Sequence, residues 1–81
     1  MKLGIIISTK QAEINWNILR LANFALKQGD EVKIFFLGEG VEYETTNSDA
    51  FNIHEQMQTL LNSEKAEIFA CGSCLKSRHI E

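Results

Sequence analysis

Lys2-Leu3-Gly4-Ile5-Ile6-Ile7-Ser8 opens the chain with consecutive rather than alternating apolar residues, three of them isoleucine. That pattern marks a strand covered on both faces, as in a parallel sheet. From about Gln11 to Gln28 the period lengthens to that of a helix. Ile14, Ile18, Leu21, Ala22 and Ala25 form one stripe, widened by Leu19 and Leu26, and Gly29-Asp30 ends it. Glu31-Val-Lys-Ile-Phe-Phe-Leu37 is a second strand, and strand, helix, strand in this order makes a right-handed crossover between parallel strands. Gly38 to Phe51 is a long polar loop. A second helix follows from Asn52 to about Ser63. Asn52 and Glu55 are spaced as a capping box, and Ile53, Met57, Leu60 and Leu61 form the stripe. Lys65 to Ala70 supplies a third strand with Ile68-Phe69-Ala70 as its buried run. The chain then turns at Cys71-Gly72-Ser73-Cys74 and begins another helix before Glu81.

The order β-α-β-α-β predicts an open doubly wound parallel α/β sheet, a flavodoxin-like half. Strand 1 is expected at the centre, with strands 2 and 3 on either side. Ligands bind such sheets at the carboxyl ends of the strands where the winding reverses. On this order the switch lies between strands 1 and 3, which would bring Ser8-Thr9-Lys10 beside Cys71-Gly72-Ser73-Cys74. Trp16 and Phe24 lie off the helical stripe, each forfeiting about 1.5–3 kcal/mol if left in water. Either nearby loops cover them or another subunit does, and the shortness of the chain favours the subunit.

With 81 residues the chain is one domain, residues 1–81, of average apolar content (44%) and charge content (23%), so disorder is excluded. A domain this small buries only about 60–65% of its unfolded surface, so its stability is expected to draw on a partner. The net charge of −3 and the absence of any Lys/Arg run argue against a nucleic acid. No apolar run is long enough for a membrane span or a signal-peptide core. The expectation is a cytoplasmic chain with nothing to cleave. Two cysteines are too few for a disulfide scaffold.

Those cysteines carry the chemistry. A thiol between a strand end and a helix start meets unpaired backbone N–H groups, which stabilise its thiolate and lower its pKa from about 8.5. Lys76, Arg78 and His79 add positive charge, and Gly72 lets a ligand approach the backbone. Four readings stand side by side. A lone C-x-x-C offers two of the four ligands zinc needs, and His54 and His79 lack finger-like spacing. A redox dithiol has the spacing but lacks the thioredoxin flank. A nucleophilic or sulfur-carrying Cys71 fits the topology best. Two small packed thiols are the plainest alternative. No cofactor is implied. Ser8 and Thr9 could donate to an anion, although a plain strand-to-helix turn needs them equally. Asn15 lies at the edge of the apolar helix face and could point at the site or be a satisfied amide. Glu39, Glu42 and Glu44 read as solvated surface.

Phe69-Ala-Cys-Gly-Ser-Cys-Leu-Lys-Ser-Arg78 resembles the motif of the DsrE/DsrF-like family, including its YchN-type members. Lys2–Thr9, Leu21–Leu26, Phe35–Val41, Phe51-Asn52-Ile53 and Gln56-Met57 resemble the rest of that family in order. The resemblance implies an α/β sheet assembled into compact homo- or hetero-oligomers, often trimers or hexamers, and for this chain a homo-oligomer is expected. It also implies sulfur relay, in which a cysteine corresponding to Cys71 holds a persulfide received from a donor protein and passes it to an acceptor. Cys74 corresponds to the second cysteine of the YchN-like subgroup, and Gly72, Ser73 and Arg78 lie within the motif. Position 79 is His where relatives commonly have Gly. Relatives continue through another helix and at least one strand. The chain is therefore expected to be short of these, as a piece of a longer protein, as subunits that complete one another, or with Cys71 less well held than in relatives.

Overall fold

The computed structural model describes residues 1–79; Ile80 and Glu81 at the expected end of the last helix lie outside the described residues. The elements run β1 (Lys2–Ile7), α1 (Ala12–Lys27), β2 (Glu31–Phe36), a 3-10 segment (Gly38–Thr46), α2 (Ile53–Leu61), β3 (Ala66–Ala70) and α3 (Gly72–Ser77). The fold is the expected α/β class, an open parallel sheet of flavodoxin-like type with helices between the strands.

The strand order differs from expectation. It is β1-β2-β3, so β2 and not β1 is central. Both crossovers step the same way, and right-handed connections then place α1 and α2 on one face, where they pack together. In register, Leu3–Val32–Ala66, Ile5–Ile34–Ile68 and Ile7–Phe36–Ala70 form three rows on that face. Val32, Ile34 and Phe36 are fully enclosed because β2 is hydrogen-bonded on both sides and roofed by both helices. The other face carries Lys2–Glu31, Gly4–Lys33–Glu67 and Ile6–Phe35–Phe69. Among the described residues nothing covers this last row. Hence β1 is covered on one side only and Ile6 and Phe69 are exposed; Ala70, also in the expected buried run, is exposed on the helix face at the end of the edge strand β3.

The helices are rotated relative to their sequence stripes. In α1 the buried positions are Asn15, Leu19, Ala22, Asn23 and Ala25, while Ile14 and Leu21 face out. The cause is α2. Asn23 Nδ2 donates to the Gln56 carbonyl and to its Oε1 at 3.1 and 2.8 Å, turning that flank of α1 inward. In α2 Ile53, Met57 and Leu60 are buried and Leu61 is exposed. Asn52 caps the helix as expected, accepting from the Glu55 N–H at 3.0 Å. Trp16 is covered within the chain by a tilted stack on Phe51 (5.5 Å) and by the Arg20 guanidinium 4.5 Å from its ring. Phe24 stays exposed.

The expected polar loop is ordered over the carboxyl ends of the strands as two 3-10 turns kinked at Glu42. Three contacts fix it. Val41 is buried, Tyr43 stacks on Phe36 at 4.4 Å, and Gly40 passes directly over the Ile7 carbonyl.

Candidate functional site

Chain reversal at the end of β3 creates the site. The Cys71 N–H donates to the Phe36 carbonyl at 2.8 Å, tying the last peptide of β3 to the end of β2. Cys71 is then the N-cap of α3 in extended conformation, and its carbonyl accepts from the Leu75 N–H at 3.0 Å. Cys74 stands one turn along, partly buried against the core beside Leu75. Both thiols are free and half-buried.

Cys74 Sγ is held from outside its own helix. The Gly38 N–H, at the end of β2, donates to it at 3.2 Å. Gly38 has a positive φ of 54°, a backbone turn that glycine enters without strain, and this turn aims the amide. Cys71 has a pKa below that of an ordinary thiol. The largest cause is the hydrogen bond donated by the Cys74 thiol, followed by the Cys74 backbone N–H; desolvation opposes these, and the Ser73 N–H adds a smaller lowering. Gly38 thus holds Cys74 Sγ in place, one helical turn from Cys71. Chemically the arrangement stabilises a thiolate on Cys71, the form that attacks sulfur.

Of the residues expected here, the structure brings together Cys71, Gly72, Ser73 and Cys74. A side chain at Gly72 would meet open space, so the backbone there is approachable. Ser8, Thr9 and Asn15 do not join them. With β2 central, the end of β1 lies about 10 Å away across the sheet, two strand spacings. There they shape the start of α1. Thr9 Oγ1 accepts from the Gln11 N–H at 3.2 Å, and Asn15, fully buried, donates Nδ2 to the Thr9 carbonyl at 2.8 Å. Arg78 is near the cysteines but engaged: its Nε donates to Glu42 Oε2 at 2.8 Å, and its Nη1 lies 3.4 Å from the Cys74 carbonyl. The other Glu42 oxygen is 4.0 Å from Lys10 Nζ. Glu42, expected to be solvated surface, thus bridges the segment after β1 to the end of α3.

Gly38 and Glu42 are the two participants that sequence reasoning left unassigned. The Gly-Glu-Gly run directly after β2 was the signal for the first, since glycines at a strand's carboxyl end mark close backbone approach. No local pattern marks Glu42, whose partners are 32 and 36 positions away.

The DsrE/DsrF-like family model matches residues 1–81, the whole chain. The chain belongs to that family. At the family level this DsrE-like chain is associated with sulfur relay. No curated protein and no solved structure matches it significantly. Among the described residues, no helix is long and apolar enough to cross a membrane.

Proposed function

We propose that the chain is a cytoplasmic sulfur carrier that holds a persulfide on Cys71 and passes it to a partner protein. The observation that supports this reading is the Cys71 thiol itself. It is partly exposed at the carboxyl edge of the sheet, and the Cys74 thiol and neighbouring amides favour its charged form. A thiolate accepts sulfane sulfur readily, and an accessible one can hand it on by a second exchange.

The test is incubation with a cysteine desulfurase and its substrate, followed by intact mass. A one-sulfur gain on the wild type, trapped by alkylation at the earliest times after mixing, that never forms in Cys71→Ser is expected. No early gain, or equal gain in the variant, overturns the reading.

A second reading, a homo-oligomeric binding module in which the thiols only pack, draws on the exposed row Ile6–Phe35–Phe69. Self-association is compatible with both readings. They separate on thiol chemistry, because packed cysteines take up no sulfur.

A further inference from the structure

We propose that Cys74 is the resolving thiol for sulfur carried on Cys71, releasing it as hydrosulfide by closing a Cys71–Cys74 disulfide. This rests on the carrier reading above and assigns the second cysteine of the same site. The geometry has three parts. Cys71 is the extended N-cap of α3 and Cys74 its third helical residue, the two positions whose side chains turn toward each other at a helix start. A disulfide needs their β-carbons about 3.5–4.5 Å apart, and the exposed Gly72-Ser73 turn between them can adjust to reach it. The Cys71 backbone does not have to move, being tied to Phe36 at 2.8 Å. The Gly38 N–H holds Cys74 Sγ at 3.2 Å, so the sulfur is positioned by an element other than the helix that carries it. A cysteine present only as apolar filler has no need of that amide.

The step balances without an added oxidant. Cys74 Sγ attacks Cys71 Sγ, the inner sulfur of the persulfide. The Cys71–Cys74 sulfur–sulfur bond forms and the bond to the outer sulfur breaks. The outer sulfur leaves with the electron pair and takes up the proton of the Cys74 thiol as hydrosulfide. The sulfane sulfur is reduced by two electrons, and the two cysteines end as a disulfide. A dithiol reductant then exchanges with that disulfide to restore both thiols.

The experiment loads the reduced protein with inorganic polysulfide, removes the excess and follows sulfide release and intact mass without added thiol. In the wild type the one-sulfur adduct is expected to convert to a species lighter by two hydrogens than the reduced protein, with one sulfide released per disulfide. In Cys74→Ser, and in Cys74→Ala as a second variant in case one folds poorly, the adduct is expected to persist, with release slowed at least about tenfold. Equal release in wild type and variants, or sulfane sulfur mapped to Cys74, overturns the proposal. A parallel arm uses glutathione disulfide, whose mixed disulfide on Cys71 presents the same inner sulfur to Cys74. Resolution of that adduct by a wild type that takes up no polysulfide sulfur removes the carrier reading and keeps the resolving role. A mixed disulfide that persists on wild-type Cys71 overturns the resolving role whatever happens to sulfur. If neither adduct forms, both fall.

Discussion

Cys71 and Gly40 show how differently two residues can be legible. Cys71 was readable because a thiol between a strand and a helix start has a use that spacing alone reveals. What spacing could not give was the order of influence, in which the Cys74 thiol outweighs the backbone amides. That order makes a pH prediction. The thiolate is the favoured form in the folded chain, so alkylation of Cys71 should titrate with a midpoint below the ordinary thiol value of about 8.5. Cys74→Ala removes the largest donor and should move the midpoint up, as measured by iodoacetamide rates against pH. Any stability linked to this group is present above the ordinary thiol pKa and lost as pH falls through the lowered one. An unmoved midpoint in the variant would contradict the assignment. Gly40 had no readable signal beyond its place in a Gly-Glu-Gly run. A β-carbon there would overlap the Ile7 carbonyl oxygen, a backbone atom that cannot step aside. Gly40→Ala should therefore destabilise the chain by about 1–3 kcal/mol, the range for overpacking, seen as a lower urea midpoint.

Elements were legible where one pattern decided them and misread where two packed elements had to agree. The strands, both long helices and the Asn52 cap were readable from period and spacing. Asn52→Ala should cost about 1 kcal/mol, measured by equilibrium unfolding, with the loss of helical signal matching the shift. The buried faces of α1 and α2 were not readable to within a residue. The Asn23–Gln56 contact that sets their rotation joins polar residues 33 positions apart, and an apolar period is blind to it. The 3-10 segment was hidden for a similar reason. Its sequence is polar, and its order comes from Val41 and Tyr43 packing on the sheet and from Glu42 bridging Lys10 and Arg78. The Glu42–Arg78 pair is partly solvated, so its worth is below about 1 kcal/mol globally. Its local effect should be larger, because α3 is short and Arg78 sits just past its end. Glu42→Gln should speed amide exchange in α3 and leave the global unfolding midpoint nearly unchanged. Exchange that stays at wild-type rates would mean that Gly38 and Cys74 hold α3 without the ion pair.

At the scale of the whole molecule the strand order reorganises the surface. A central β1 would have spread the helices over both faces; a central β2 leaves one face bare. That face is not uniform. Toward the amino ends of the strands it alternates Lys2, Glu31, Lys33 and Glu67, with opposite charges directly across from one another. Toward the carboxyl ends it presents Ile6, Phe35 and Phe69 in register, 70%, 39% and 46% exposed. A contiguous apolar row of this kind is where a partner would dock. Two lysines and two glutamates in alternation suit neither a strongly acidic nor a strongly basic partner. They do suit a second copy, in which each lysine can meet a glutamate while the apolar rows stack. A charge at the centre of the row would then be buried without a partner on association and cost several kcal/mol, yet cost little in the isolated chain because Phe35 points away from the core. The wild type is therefore expected to sediment as a multimer, and Phe35→Lys as a smaller species with unchanged helical signal. Lys33→Glu should weaken assembly more mildly and in a salt-dependent way, since it breaks the alternation at the rim rather than the apolar centre. A monomeric wild type would remove the second copy as occupant. A Phe35→Lys variant that assembles normally would move the interface elsewhere, with the exposed Leu21 and Phe24 of α1 as the next surface to test.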